Sequence, residues 1–270
     1  MKRVLELVQQ IALAIVIQEH STRPPQRGHQ QPQDNMLGLG NSITSGVALE
    51  AGSVITGISG LQAWYKFKTD AAAAQWSDQS GNDNHAAQST ADNQPSYNSG
   101  TGAFGFDIST EFDITALNLD ARTLIFAVDF TVQKSSGDTK WHRLMSTTSQ
   151  ATGIIQAYLP GDYFYTGGNT ASLVSIAASG TVTNGSKVLL TYTQTTQAHG
   201  GVLKVRKDGT QIATATVSTA DGNGVYDALG QIDSRGFEGN MYEVAIFDEV
   251  LSSSDLTAVE NEIMSRTGIS

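Results

Sequence analysis

The sequence contains no cysteine. A chain without thiols has neither a disulfide framework nor a thiolate metal site, although the redox state of its compartment stays open. Charged residues are scarce, at 16% of 270 residues, while glycine, serine, threonine and alanine are abundant. This balance favours a β-rich extracellular or particle-surface protein over a helical cytosolic enzyme.

Positive charge is in deficit. The chain carries 16 lysines and arginines against 26 aspartates and glutamates, for a net charge of −10. Because an acidic surface repels a phosphate backbone, we expect no nucleic-acid partner. Residues 1–35 carry four basic and three acidic side chains, whereas residues 36–270 carry 12 and 23. The two parts therefore differ in composition and, we expect, in role.

The sequence also lacks an apolar run of the roughly 20 residues that span a membrane. Its first segment, MKRVLELVQQIALAIVIQEH, opens like a signal peptide, but Glu6, Gln9 and Gln10 interrupt the apolar run. Helical spacing instead predicts an amphipathic docking helix over residues 1–19 that binds a partner protein or sister chains. A helix folded back on its own domain, a signal peptide and a membrane helix are the alternatives. The predicted docking residues are Val4, Leu5, Val8, Ile11, Ile15 and Val16.

Proline is rare, with five residues, and three of them fall in STRPPQRGHQQPQDN, residues 21–35. Proline fixes φ and glutamine stays solvated, so this stretch predicts an extended arm and not a packed core. Glycines follow it in MLGLGNSITSG. We assign residues 20–55 as a Pro/Gln/Gly-rich tether between the docking helix and a domain at residues 56–270.

Residues 56–270 contain short segments of period-2 alternation separated by turn signals, which predicts an antiparallel two-sheet sandwich. Asp208-Gly209 predicts a hairpin turn. Ser252, Asp255 and Gly268 predict the caps of a short C-terminal helix against the sandwich. The predicted strands are LQAWYKF, TLIFAVDFTV, GIIQAYL, SLVSIAA, KVLLTYT, GVLKVRK, TQIATATV and MYEVAIF.

Both ends of this domain carry motifs of a known superfamily. One is the aromatic pair Trp64 and Tyr65 followed by WSDQSGNDNHA at residues 76–86, and the other is FEGNMYEVAIFDEVLSSSDL at residues 237–256. Together they resemble the laminin-G-like, concanavalin A-like lectin/glucanase superfamily. The resemblance implies a mainly β, antiparallel jelly-roll sandwich and says little about function.

The loop at residues 76–86 has three open interpretations. Its residues tolerate positive φ and bond their own backbone, which favours a structural turn with Trp76 packed inward and Asp78 as its cap. Some relatives bind calcium at this rim, and a sugar site is a third possibility. The calcium candidates, chosen for their oxygen ligands, are Asp70, Asp78, Asn82, Asp83 and Asn84. We expect no other cofactor.

Glycoside hydrolases of this superfamily carry E-x-D-x-E or E-x-D-x-x-E on one strand. Here EFDITAL supplies Glu111 and Asp113, but Thr115 and Ala116 stand where the third carboxylate belongs. We therefore expect no enzymatic activity. The candidates for glycan binding are Trp141, Tyr163, Phe164 and Tyr165, of which the last three lie in GDYFYTGG. That segment suits an exposed aromatic loop, although such aromatics more often belong to strands or cores.

Two functions fit these observations. The first is a structural component of a multi-copy particle, similar in layout to accessory virion proteins of tailed bacteriophages (decoration, collar or tail-associated). Residues 1–55 would dock on other particle proteins or sister chains, and the sandwich would be displayed on the virion surface. The alternative is an extracellular glycan-binding adhesin or lectin module that attaches to a host surface.

Overall fold

The computed structural model describes residues 52–68, 72–131, 142–147, 154–158, 163–167, 174–177, 182–198, 200–216, 225–231 and 235–270; in 154–158, 163–167 and 174–177 only the backbone is described. All of these residues belong to the compact unit Glu50–Ser270. The predicted docking residues Val4, Leu5, Val8, Ile11, Ile15 and Val16 lie outside the described residues, as does the tether up to residue 51. The N-terminal helix and arm therefore stay predictions.

The described strands form two sheets, and all pairings between named strands are antiparallel. In spatial order, sheet 1 contains β14 (Thr210–Thr216), β13 (Val202–Lys207), β12 (Val188–Gln194), β7 (Arg122–Phe130), β16 (Gly239–Phe247), β5 (Ala103–Phe106) and β4 (Ser96–Asn98), with β1 (Leu61–Tyr65) also paired to β16. Sheet 2 contains β11 (Val174–Ala177), β10 (Tyr163–Gly167), β9 (Ile154–Tyr158), β8 (His142–Ser146), β15 (Val225–Gly230), β6 (Glu111–Asn118), β3 (Ala86–Ala87) and β2 (Gln75–Trp76). The predicted two-sheet antiparallel sandwich is confirmed.

The main hydrophobic core lies between the two sheets and is rich in aromatic rings. Trp76 of β2 and Phe104 of β5 have ring centroids 4.8 Å apart, and Phe104 meets Phe112 of β6 edge-on at 5.1 Å. Such pairs bury a large apolar area and contribute on the order of 1 kcal/mol beyond it. Because β5 belongs to sheet 1 while β2 and β6 belong to sheet 2, these rings hold the sheets together.

The C-terminal helix, α1 (Ser253–Thr267), packs on the outer face of sheet 1. The Ser252 side chain accepts a hydrogen bond from the Asp255 amide, and Gly268 adopts the left-handed conformation with φ 72°, so both predicted caps are confirmed. Leu256, Val259 and Ile263 pack against a second apolar cluster that includes side chains of β7, β12 and β16. Strands β7 and β16 are therefore buried on both faces.

The predicted hairpin joins β13 and β14. Asp208 and Gly209 have φ values of 48° and 77°, the two positive angles that a type I′ turn requires. Asp208 Oδ1 also accepts a hydrogen bond from the Leu189 amide at 2.8 Å, which fixes the turn against β12.

Two short 3-10 helices, Ile55–Gly57 and Ala91–Asn93, complete the described secondary structure. None of the described helices has the length and hydropathy needed to cross a bilayer.

Candidate functional site

The loop that follows β2 is organised around the carboxylate of Asp78. Its Oδ1 accepts hydrogen bonds from the Trp64 amide at 2.8 Å and the Ser80 amide at 2.9 Å. Its Oδ2 accepts from the Ser80 hydroxyl at 2.6 Å and the Asn84 amide at 3.0 Å. Trp76 is 1% exposed and lies in the core. The structural interpretation of this loop is therefore confirmed at both residues.

The asparagines of the same loop attach it to the backbone of β1. Asn82 Nδ2 donates to the carbonyls of Leu61 at 2.8 Å and Gln62 at 3.1 Å, and Asn84 Nδ2 donates to Gln62 at 2.8 Å. In return, the Tyr65 hydroxyl donates to the Asn84 carbonyl at 2.7 Å. The pattern S-G-N-x-N thus fastens an edge of sheet 2 to β1 of sheet 1.

Calcium binding at this loop stays a prediction. Asp70 lies outside the described residues, and Asp83 sits exposed at the turn with a φ of 58°. Both oxygens of Asp78 already accept two hydrogen bonds each from the protein. In the part of the chain that the structure describes, no group of three or more His, Asp or Glu side chains is arranged to hold a metal ion.

The EFDITAL segment forms β6, near the middle of sheet 2. Phe112 and Ile114 belong to the core, so Glu111 and Asp113 project from the opposite, outer face. Asp113, Thr115 and Ala116 are exposed there. The two acids therefore share one face of a strand, as the comparison with glucanases predicted, and the next outward position is a threonine.

A carboxylate on the neighbouring strand lies beside Asp113. The register between β6 and β15 shifts between Tyr226 and Ala228, which leaves Asp227 at an irregularity opposite the three residues Ile114 to Ala116. Burial, and secondarily the charge of Asp227, raises the pKa of Asp113 above its ordinary range. Sequence reasoning missed this pairing, since the two aspartates are more than a hundred residues apart.

Buried polar side chains of Arg143 and Gln231 lie further along sheet 2. Arg143 in β8 is 2% exposed, and its guanidinium donates to Gln231 Oε1. Gln231 Nε2 donates in turn to the Thr147 carbonyl at 3.3 Å. The segment HRLMS has no clean period-2 alternation, so no strand was predicted for β8.

Within the GDYFYTGG segment, Tyr163–Gly167 form a strand. Tyr163, Phe164 and Tyr165 lie in β10, which is hydrogen-bonded to β9 on one side and β11 on the other. The backbone register aligns Tyr165 with Gln156 of β9, and Gln156 with Arg143 of β8. The aromatic segment therefore belongs to the sheet that carries Asp113. Trp141 lies outside the described residues.

No protein-family model matches this sequence, and no curated protein matches it significantly. Solved structures, in contrast, share its architecture. Domain 4 of AbnA, an extracellular arabinanase from Geobacillus stearothermophilus solved with arabinotriose, is 14% identical with a TM-score of 0.55. That match covers 74% of this chain and 98% of the arabinanase domain.

Two larger proteins contain a similar sandwich. Botulinum neurotoxin type C, which depends on two ganglioside molecules to enter cells, is 12% identical with a TM-score of 0.55, over 77% of this chain and 52% of that one. Trypanosoma rangeli sialidase, solved with sialic acid, is 12% identical with a TM-score of 0.53, over 77% of this chain and 33% of that one. This chain thus matches about half of the neurotoxin chain and a third of the sialidase. At these identities the likeness establishes the β-sandwich fold.

Proposed function

We propose that this chain is a non-enzymatic glycan-binding module. The observation that carries the proposal is the match to the arabinanase domain, which spans 98% of a β-sandwich solved in complex with an oligosaccharide. The neurotoxin and sialidase matches, whose structures concern gangliosides and sialic acid, point to the same ligand class. This favours the lectin alternative over the purely structural role.

The outer face of sheet 2 is our candidate for the binding surface. Asp113 and Thr115 are exposed on it, and both offer oxygen atoms that hydrogen-bond to sugar hydroxyls. Strand β10 brings Tyr163 and Tyr165 into the same sheet, and tyrosine combines an apolar ring with a polar hydroxyl. Carbohydrate sites commonly combine aromatic rings with a few fixed polar groups.

The same face argues against hydrolysis. Retaining glycosidases of this fold place a nucleophile and an acid/base carboxylate along one strand. Here the outward position after Asp113 is Thr115, so the strand lacks the partner carboxylate. We therefore propose that a bound glycan is released unchanged.

The test is binding of the full chain to an array of neutral and acidic glycans, followed by affinity measurement on the best ligand. We expect Asp113→Asn and Tyr165→Ala each to weaken binding about tenfold, equivalent to roughly 1.4 kcal/mol. Asp92→Asn removes an exposed carboxylate from the 3-10 helix Ala91–Asn93, which is not part of sheet 2; it is the matched control and should bind normally. Absence of binding to every glycan, or equal affinity for all variants, would contradict the proposal.

The N-terminal arm supports a second, compatible proposal. Its apolar stripe at helical spacing and its proline-rich tether suit a chain anchored in a multi-copy particle, such as a tailed-phage virion, with the sandwich displayed outward. Replacing Ile11 and Ile15 by aspartate should abolish incorporation into such a particle while leaving the sandwich folded. Normal incorporation of that double variant would rule out anchoring by this stripe.

A further inference from the structure

A buried carboxylate lies between sheet 1 and helix α1. The β16 register shifts between Met241 and Glu243, and this irregularity directs both Tyr242 and Glu243 toward the helix side of the sheet. Glu243 is 0% exposed. Its Oε1 accepts a hydrogen bond from Trp64 Nε1 at 2.7 Å, and its Oε2 accepts from the Phe67 amide at 3.4 Å.

One arginine links this carboxylate to the segment that leads into the domain. Arg266 of α1 lies 3.4 Å from Glu243 Oε1 and also pairs with Glu262 one helical turn away. Glu262 in turn accepts hydrogen bonds from the Ser53 hydroxyl at 2.6 Å and the Val54 amide at 2.8 Å. We call residues 52–58 the strap. A continuous chain of polar contacts thus runs from Glu243 to the strap.

The strap is held at a second point by apolar burial. Ile55 is fully buried and belongs to the same apolar cluster as Val259 and Ile263 of α1. The strap and the helix therefore share one packing interface on sheet 1. Because they share it, looser packing of α1 should also weaken the packing of the strap.

Other charged groups surround Glu243. Lys66 at the end of β1 lies 5.3 Å from the Trp64 ring centroid, and the Arg266 guanidinium lies 5.2 Å from it. Lys187, before β12, lies 4.2 Å from the ring of Tyr242, whose hydroxyl donates to Asp129 of β7. Burial dominates this environment and raises the pKa of Glu243 to about 7, although Arg266 and the Trp64 hydrogen bond oppose the rise.

We propose that Glu243, Arg266 and Glu262 form a proton-dependent latch, in which proton uptake by Glu243 tightens the strap and α1 on sheet 1 and proton release loosens them. When Glu243 is neutral, no isolated charge is buried and Arg266 pairs with Glu262 alone. When Glu243 is ionised, its charge is desolvated, and it competes with Glu262 for the same guanidinium.

The direction of the effect follows from linkage. The pKa of Glu243 is about 7 in the folded chain, against an ordinary value of 4.5, so the folded state holds this proton more tightly. The stability that the Glu243 proton contributes is fully present below the ordinary pKa of 4.5, and it is lost as pH rises to about 7. The strap should therefore be held most firmly in mildly acidic solution.

The first test compares the full chain with Glu243→Gln, which keeps the shape and one acceptor oxygen but cannot ionise. Between pH 5 and pH 8, we expect the unfolding equilibrium constant of the wild type to rise about a hundredfold relative to that of the variant. Asp113→Asn is the matched control. It removes another carboxylate of raised pKa, on the opposite sheet, and should keep the wild-type rise between pH 5 and pH 8. Parallel pH profiles for wild type and Glu243→Gln would overturn the proposal.

The second test follows the strap itself. Hydrogen exchange of the Val54 amide, corrected for intrinsic rate, should speed up in the wild type as pH rises through 7 and should stay constant in Glu243→Gln. If that variant does not fold, carbon NMR titration of the wild-type Glu243 carboxyl serves instead, with strap exchange tracking the same midpoint. A midpoint near 4.5, or strap exchange that does not follow the titration, would refute the latch.

Discussion

The outer faces of the two sheets differ in burial: one is covered and the other is exposed to solvent along β6. On sheet 1, Ile125 and Ala245 face outward and are fully buried beneath α1. On sheet 2, Asp113, Thr115 and Ala116 of β6 face outward and are exposed. The difference shows that one antiparallel pattern gives either a second core or a solvent-facing surface, depending on what covers it.

The two faces also handle charge differently. On the covered face, two buried carboxylates meet an arginine: Glu260 forms two contacts of 2.9 Å with Arg206, and Glu243 lies 3.4 Å from Arg266. On sheet 2, the exposed Asp113 lies close to another carboxylate, that of Asp227. Burial favours charges that are paired, whereas a face in contact with solvent tolerates like charges side by side.

The largest expected effect comes from breaking the covered face. Val259→Asp places an unpaired charge among apolar side chains, and we expect the free energy of unfolding to fall by about 3–5 kcal/mol. Asn261→Asp, at an exposed position of the same helix, should change it by less than about 0.5 kcal/mol. Urea denaturation of both variants measures the difference. Similar losses in the two would mean that α1 is not packed as described.

A smaller effect is expected where the two sheets are fastened together. Asp78→Asn replaces an acceptor-only group by one that has a single acceptor oxygen, although four donors point at it. We expect a loss of about 2–3 kcal/mol, measured by thermal unfolding. Asp83→Asn, in the same loop, should be nearly neutral because asparagine tolerates its positive φ. If Asp78→Asn were equally harmless, the loop would not be organised by this carboxylate.

The smallest effect concerns exposed carboxylates, and what distinguishes them is the sign of the change in the free energy of unfolding. The pKa of Asp113 is raised, so Asp113→Asn should stabilise the chain at pH 7 by roughly a few tenths of a kcal/mol, and this gain should vanish near pH 3. The Ser109 hydroxyl, with smaller help from the backbone, lowers the pKa of Asp107, so Asp107→Asn should destabilise at pH 7 and matter less near pH 3. Denaturation at the two pH values checks both. Equal signs for the two variants would contradict this account.

Much of the fold was predictable because local patterns agree with it. All eight predicted segments contain a strand, the Asp208-Gly209 turn closes its hairpin, and the helix caps are those of the sequence. In these places period-2 alternation, turn chemistry and capping each act within a few residues. Local physics of this kind can be read without knowing the neighbours in space.

Strands β6 and β10 are absent from the eight predicted segments because their sequences do not meet this condition. In β6, the run from Ile114 to Leu117 breaks the alternation, because an irregularity opposite Asp227 turns both Thr115 and Ala116 outward. In β10, the glycines at both ends of GDYFYTGG left a loop and a strand both open, and pairing with β9 and β11 makes Tyr163–Gly167 a strand. In both strands, pairing with neighbouring strands determines the extended conformation, which the local sequence does not specify.

By itself, the sequence determined the antiparallel sandwich and its C-terminal helix, because each depends on short-range periodicity or on side chains bonding nearby backbone. For the loop around Asp78 it left three interpretations open. Only the tertiary structure decided which sheet face is sealed and which is open. It alone brought Asp227 beside Asp113, and Glu243 into contact with Arg266. These pairings join residues far apart in the chain, and they exist because burial and strand register, which are properties of the whole fold, place them together.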